Sequence, residues 1–356
     1  MKIGLILPTN LYYSPYINIY INILESNNIL YDIISWDRES VGENKYIVFK
    51  RKSSFKSNNL KKIIDFIFFA QFVKLQIKKN GYDKLIIFGP QIGLLLYNFL
   101  NNRFKNKLIF DYRDLSIDQL FPKRFSKLLD ISSIICISSY GFIKFLPNGY
   151  KYILSHNFDI NNIRKKVEDN SQIFSRRNKM IKILTIGGIR DYDQNLELIN
   201  KLKNKNSFYL EFIGTGIAEK SLKDYCVSNN IRNISFSGYY DKNEEPRFYS
   251  DSAFVNIYYP KLLSHETALS NRFYNSLIYK RPMIVTKNSI QGDIVEKNNL
   301  GIAISDCENI DLKLSSFIKD FNSVEFNLRC DSLLKDYEND YYQFHEEVIN
   351  FLTSKC

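Results

Sequence analysis

Short runs of consecutive apolar residues recur along the whole chain, closed by glycines or polar clusters and separated by amphipathic stretches. In the first half they are Lys2–Leu7, Tyr31–Trp36, Lys45–Phe49, Lys84–Phe88, Lys107–Asp111, Ser133–Ser138 and Tyr152–Ser155. In the second half they are Ile181–Ile186, Phe208–Ile213, Asn233–Ser237, Ala253–Ile257, Pro282–Val285 and Gly301–Ile304. Such β-type runs, alternating with helical periodicity, predict an α/β class with parallel strands and helical crossovers. Helices are expected over Asn58–Lys79, Gln91–Asn101, Ala268–Tyr279, Gly292–Lys297, Ile310–Phe321, Asn322–Lys335 and Glu338–Leu352. The polar stretch 158–179 reads as a linker between a first domain, 1–157, and a second, 180–335. No tandem repeat at a short fixed period is present.

Charge changes this picture in one place. The net charge is +11, and all of it lies in the first half: residues 1–157 hold 22 Lys/Arg against 11 Asp/Glu, and the remainder balances at 27 of each. Much of the surplus flanks the helix 58–79, which is apolar over more than one face; Lys50, Arg51, Lys52, Lys56, Lys61 and Lys62 precede or open it, and Lys74, Lys78 and Lys79 close it. Two readings stay open. The helix lies in the headgroup layer of an anionic membrane, which the clustered lysines favour, or it is buried in the sheet's helical layer. Nucleic acid is a poorer partner, since no groove-reading motif accompanies the charge. Five cysteines without a Cys-x-x-Cys pair fit a reducing, cytoplasmic compartment. The opening Met1–Pro8 is too soon interrupted for a signal peptide, and no apolar run reaches the ~18 residues of a membrane span.

Candidate chemistry gathers at the ends of the predicted strands, where α/β sheets bind ligands. Gly187-Gly188 and Gly214-Thr-Gly216 remove side chains where backbone amides and helix starts can approach a phosphate. Arg190 adds a cation that can take two phosphate oxygens at once. Thr267 is placed to cap the next helix, with Asn271, Arg272 and Asn275 on it facing the same ligand. In the first half, Asn10 and Tyr12 follow the first strand, and Asp111, Arg113 and Asp114 follow another. The latter are site-like by position, or an Arg–Asp pair that fixes a loop. The order Gly-Gly-Ile-Arg-Asp-Tyr is not a dinucleotide fingerprint, which speaks against a nicotinamide enzyme. Three histidines, His156, His265 and His345, show no metal-binding spacing, so no metal is expected.

The second half resembles the donor-nucleotide domain of a GT-B glycosyltransferase, of the family 4 type common in bacterial capsule and lipopolysaccharide pathways. The stretches that carry the likeness are Ile186-Gly-Gly-Ile-Arg190, Phe212-Ile-Gly-Thr-Gly216, Ile234-Ser-Phe-Ser-Gly238-Tyr239, Ser270-Asn-Arg-Phe-Tyr274 and Lys280-Arg-Pro-Met-Ile284. The first half is similar to the acceptor domain at Met1–Pro8, Phe110–Asp114 and Ser155–Asn157. This resemblance implies two Rossmann-like domains facing across a cleft, with residues 336–356 crossing back to the first. It implies a retaining transfer of a sugar from a nucleoside-diphosphate sugar, UDP-sugar favoured, to a carbohydrate or lipid-linked oligosaccharide acceptor. The protein would be peripheral on the inner face of the cytoplasmic membrane, with no cofactor. Arg190, Arg272, Glu266, Asp111 and His156 would be catalytic. Gly187, Gly188, Gly214, Gly216, Tyr239, Thr267, Asn271 and Asn275 would hold the donor, and Asn10, Tyr12, Arg113 and Asp114 the acceptor. The chain departs from the family where two glutamates and a lysine usually stand: Thr267, Asn275 and Asn195 replace them. Those changes keep a GT-B epimerase acting on the nucleotide sugar, or a non-catalytic sugar-nucleotide-binding protein, as the alternative.

Overall fold

The computed structural model describes residues 1–53, 58–158, 160–163, 173–174 and 180–354. Most of the expected linker, and Lys56, lie outside them. The chain divides into two compact units: Met1–Asn157 together with the chain from Asn339 onward, and Phe158–Glu338.

In the first unit, seven parallel strands form one sheet: β1 (Lys2–Leu7), β2 (Leu30–Asp37), β3 (Ile47–Lys50), β4 (Lys84–Phe88), β5 (Leu108–Tyr112), β6 (Ile134–Ile137) and β7 (Tyr152–Leu154). Their order is β3-β2-β1-β4-β5-β6-β7. Strands β1, β4, β5 and β6 are almost wholly buried, as expected of a sheet covered on both faces. Helices α1 (Ile17–Ser26), α2 (Asn59–Asn80), α3 (Pro90–Arg103) and α4 (Pro122–Asp130) supply the crossovers. One core joins α2, α3 and α4 to the sheet through Phe69, Val73, Ile92, Leu100 and Leu128. The other joins α1 to the opposite face through Tyr20 and Leu24.

The second unit repeats the plan. Its strands are β8 (Ile181–Ile186), β9 (Phe208–Ile213), β10 (Ile234–Gly238), β11 (Phe254–Ile257), β12 (Met283–Thr286) and β13 (Gly301–Ile304), in the order β10-β9-β8-β11-β12-β13. A short turn of helix, α5 (Ile160–Ile163), precedes them. Between and after the strands run α6 (Tyr192–Leu202), α7 (Glu219–Ser228), α8 (Glu245–Ser250), α9 (Leu263–Thr267), α10 (Asn271–Ile278), α11 (Ile290–Lys297), α12 (Ile310–Lys319) and α13 (Ser323–Thr353). Both sheets are doubly wound, with strand order reversing between β1 and β4 and between β8 and β11. That reversal opens a crevice at the carboxyl ends of those strands, which is where such folds bind ligands.

Three expectations change. The two closing helices are one, because Lys335-Asp-Tyr-Glu-Asn339 contains no glycine or proline to break it. Phe326, Cys330 and Leu334 of α13 pack in the second unit, and Phe344, Val348 and Phe351 in the first. The end of α13 is tied to the first sheet by Lys84, whose side chain is 2% exposed. Its ammonium donates to Phe351 O, to Ser354 O at 2.8 Å and to Ser354 Oγ at 3.0 Å, a cation at the negative end of a helix. The helix expected over Ala268–Tyr279 begins at Asn271, after the separate turn α9. Finally, α2 sits in the sheet's helical layer but is covered on one side only. Phe69, Ala70, Val73 and Ile77 are buried on one side, while Leu60, Ile63, Ile64, Ile67, Phe68 and Leu75 are exposed on the other.

Candidate functional site

A cavity of about 350 Å3 opens in the second unit at the carboxyl end of β8. The loop after β8 contributes Ile186, Gly187, Gly188, Arg190 and Asp191 to it. Tyr240, Glu245 and Tyr249 come from α8 and its approach, Tyr259 and His265 from the segment after β11, and Ser270, Asn271, Arg272 and Asn275 from the start of α10.

The glycines shape the β8 loop. Gly187 takes φ +90° at the strand's end, a conformation that costs glycine nothing. Its N–H still reaches Ile213 O at 2.8 Å, which keeps the loop aligned with β9. Gly214 has φ +121°, and a Cβ there would lie 2.1 Å from Gly187 O. Gly216 is similarly pressed on Ile189 O. These two glycines do not line the cavity; they let two loop backbones touch and so set the loop that does.

The two arginines are used in different ways. Arg272 is 9% exposed. Its Nε donates to Ile186 O at 2.5 Å, Nη1 to Asn256 O at 3.2 Å and Nη2 to Gly188 O at 3.0 Å, and its Cζ lies 5.6 Å from the centre of the Tyr259 ring. Three of its five N–H groups are therefore spent on the carbonyls of the β8 loop and β11. Arg190 is exposed, with its Nε beside Gly188, and makes no hydrogen bond or ion pair among the described residues. With Arg272 holding the Gly188 carbonyl, the Gly188 N–H has no acceptor among the described residues. An exposed cation, a backbone donor and the positive end of α10 thus meet in one cavity, a combination whose chemistry suits an anion.

Helix α10 is capped by Ser270, not Thr267: Ser270 Oγ accepts from Phe273 N at 3.2 Å. Gln291 in turn accepts from both Ser270 N, at 3.1 Å, and Ser270 Oγ, at 2.7 Å. Thr267 is buried in α9 and donates to Leu263 O at 2.9 Å; Glu266, beside it, lies outside the cavity lining. Asn195 is buried as well. Its amide donates to Asp191 O at 2.6 Å and accepts from Asn256 Nδ2 at 3.1 Å, while Asn256 also donates to Thr185 Oγ1 at 3.0 Å. A neutral network thus braces the β8 loop from beneath. Tyr239 is 86% exposed and outside the cavity.

Glu245 was not singled out from the sequence, and it is the cavity's carboxylate beside Asn275. Its Oε1 accepts from Tyr240 OH at 2.8 Å and Oε2 from Asn275 Nδ2 at 3.1 Å. Burial, with Glu245 beside it, holds the Tyr240 phenol well above its ordinary pKa, so that it remains a donor. The Glu-Glu-Pro stretch before α8 reads as a polar loop, and no spacing rule links it to Asn275.

The candidate residues of the first unit form two clusters at strand ends. Asp111 is fully buried and accepts from Tyr20 OH at 2.7 Å and from Arg113 Nη2 at 2.7 Å. Arg113 also donates to Ser155 O and Ser155 Oγ, both at 2.8 Å, and lies 4.4 Å from the Tyr16 ring. Burial opposes the Arg113 charge, but the Asp111 carboxylate more than offsets it, so the net shift is upward. This is the loop-fixing pair. His156 Nε2 sits 2.9 Å from Asp340 Oδ2 on α13; burial lowers its pKa and Asp340 offsets part of that. Asn10 is buried, donating to Asp37 at 2.8 Å and Glu43 at 3.1 Å and accepting from Arg38 N at 3.0 Å. Tyr12 and Asp114 are exposed; Tyr12 shares the Glu39 carboxylate with Tyr13. Among the described residues, no group of three His, Cys, Asp or Glu side chains is placed to hold a metal ion.

No known family profile and no curated protein sequence matches the chain. Solved structures do. The chain is similar to sucrose-phosphate synthase from Thermosynechococcus elongatus (TM-score 0.71, 11% identity, 100% of each chain covered). It is similar to a glycosyltransferase from Rickettsia africae (TM-score 0.67, 13% identity, 99% of each). It is also similar to the Anabaena protein HepE in complex with UDP (TM-score 0.63, 13% identity, 100% of each). At these identities the likeness is one of fold: two Rossmann-like α/β units, the architecture called GT-B.

Proposed function

We propose that the protein is a glycosyltransferase that takes its sugar from a nucleoside diphosphate, with UDP-sugar the favoured donor. The observation that carries this reading is the conjunction, in one cavity at the sheet's switch point, of Arg190, the Gly188 N–H and the start of α10. The bond between the anomeric carbon and the diphosphate breaks, and the leaving oxygen takes the electron pair. An acceptor hydroxyl oxygen bonds to the same carbon and releases its proton. Arg190, the Gly188 amide and the positive end of α10 face the charge that grows on the leaving diphosphate. Arg272 acts one step back, by fixing the loop that carries the first two. Glu245 and Asn275 offer a carboxylate and an amide to the nucleotide's ribose hydroxyls, and Tyr240 a wall for its base. Complexes of HepE with UDP, and with UDP and glucose, support UDP as the first nucleotide to try.

The acceptor would be a carbohydrate, lipid-linked, in surface polysaccharide synthesis, and the transfer would retain anomeric configuration. The first unit would receive it at exposed residues such as Tyr12 and Asp114, with Asp111, Arg113 and His156 shaping the loops behind. Calorimetric titration with UDP, GDP and ADP tests the donor site. A clear preference for UDP, followed by acceptor-dependent release of UDP from a UDP-sugar, is the expected result. Reversible epimerisation without acceptor would make the protein an epimerase, and binding without turnover a sugar-nucleotide binder. No binding of any diphosphate overturns the proposal.

A further inference from the structure

We infer that the outer surface of the α2–α3–α4 layer is a docking face for an anionic lipid bilayer, with the Leu120–Phe121 corner as part of it. The inference starts from α2. At 3.6 residues per turn its outward stripe is Leu60, Ile64, Ile67, Gln71, Leu75 and Lys78. Leu60 is 73% exposed and Leu75 64%, while the opposite stripe, Phe69, Val73 and Ile77, is buried against the sheet. An aliphatic stripe of that length facing solvent is uncommon in a monomeric protein.

The stripe continues onto its neighbours. Helix α3 packs on α2, and α4 and the Ile117–Leu120 turn pack on α3. Leu95 of α3 is exposed, and the corner where the turn enters α4 presents Leu120 at 76% exposure and Phe121 at 50%. Charge on this layer has one sign. Helices α2, α3 and α4 carry nine lysines and arginines against two aspartates. Of the two, Asp65 is buried and paired with Arg51 at 2.6 Å, and Asp130 accepts from Tyr150 OH at 2.7 Å at the far end of α4. Lys61, Lys74, Lys78 and Lys79 lie on or beside the stripe on α2; Lys123, Arg124 and Lys127 border the corner.

A flat apolar stripe rimmed by cations fits an anionic membrane, into whose headgroup boundary such a helix sinks by about 5–10 Å. A second copy of this chain would bring the same cations against these and be repelled. A nucleic acid would meet aliphatic side chains where a polar interface is needed. No helix among the described residues is long and apolar enough to cross a membrane, so the face would lie on the bilayer. This inference rests on the transferase reading only for its purpose, which is to hold the first unit beside a lipid-linked acceptor.

Vesicle co-sedimentation of the full chain tests it, on phosphatidylcholine alone and with about one third phosphatidylglycerol. The wild type is expected to bind only the anionic vesicles. Reversal of Lys61, Lys74, Lys78 and Lys79 to glutamate should weaken that partitioning at least about 100-fold, since each lysine contributes roughly fivefold. The pair Ile64→Ser and Ile67→Ser, and separately Leu120→Ser with Phe121→Ser, should weaken it about tenfold each. A Phe68→Trp reporter should shift to the blue on binding. UDP affinity, read in the same variants, should not move; its loss from the wild type would count against the donor site and leave the membrane result standing. Failure of the wild type to bind anionic vesicles overturns the inference. So does binding that the serine pairs leave unchanged, which would be adsorption by charge alone, and so does a dimer that the Ile64/Ile67 pair dissolves.

Discussion

Substituting the two cavity arginines separately tests whether they divide the labour as their contacts imply. Arg190 is exposed and touches nothing that holds the fold together, so Arg190→Ala should leave stability within about 0.5 kcal/mol of wild type. It should remove one charge-assisted contact to the diphosphate, worth about 2–3 kcal/mol, and so weaken UDP about 30- to 150-fold. Arg190→Lys should recover only part of this, because an ammonium keeps the charge and loses the two-pronged grip. Arg272→Met keeps the bulk and strands the carbonyls of Ile186, Gly188 and Asn256. Hydrogen bonds to a charged group contribute about 1.5–3 kcal/mol each. Water will recover some of them, which leaves a net loss of about 3–5 kcal/mol and a drop of roughly 10 °C in Tm. Differential scanning calorimetry and UDP titration of the three variants give both numbers. If Arg190→Ala binds UDP like wild type, the exposed cation is not in the diphosphate site. If Arg272→Met melts like wild type, the carbonyl clamp does not hold the β8 loop. Either result refutes the assignment it addresses without touching the other.

Three further outcomes follow from contacts already described. Gly214→Ala puts a Cβ 2.1 Å from Gly187 O at φ +121°, and should cost about 3 kcal/mol or more, read as a lowered Tm with UDP binding lost alongside. Lys84→Met leaves the last carbonyls of α13 without their donor; a loss of about 2–3 kcal/mol is expected, with hydrogen exchange rising first over residues 348–354. His156 has its folded pKa held below the ordinary value, mainly by burial. The unfolded chain therefore takes up its proton first, and stability should fall as pH drops below about 6.5. His156→Gln should flatten that part of the stability–pH curve, and an unchanged slope would remove His156 as its source.

The α/β alternation was legible because buried parallel strands are short apolar runs, and their ends were legible because Gly187, Gly214 and Gly238 mark them. Boundaries drifted where no breaker stands. Nothing between Lys335 and Asn339 interrupts a helix, so two expected helices are one, and the short α9 was merged into α10 because Ala268 and Leu269 are unexceptional helix residues. For α2 the composition could not choose between buried and exposed, since a helix apolar all round satisfies either. The answer depends on how much of its circumference the sheet covers, and the sheet covers half.

The residues of the candidate site were legible as neighbours at the strand ends, and their contacts were not, for a physical reason. Sequence gives an arginine's position; its chemistry depends on which acceptors are already within reach. Arg190 and Arg272 both read as phosphate ligands, yet one is turned to three carbonyls and the other to solvent. Asn195 and Asn275 make the same point from the other side. Each reads as a lost charge, but Asn195 is buried in a neutral brace with Asn256 and Thr185, where a lysine ammonium would need an acceptor to replace that network. Asn275 instead donates to Glu245, which comes from an element thirty residues earlier. A carboxylate thus stands beside Asn275 in the cavity, brought there by α8. A carboxylate supplied by a separate element leaves no trace in spacing. Only the packing of α8 on α10 makes Glu245 and Asn275 a pair, and double substitution at those two positions, non-additive in UDP affinity if they act together, is how that pairing is read in solution.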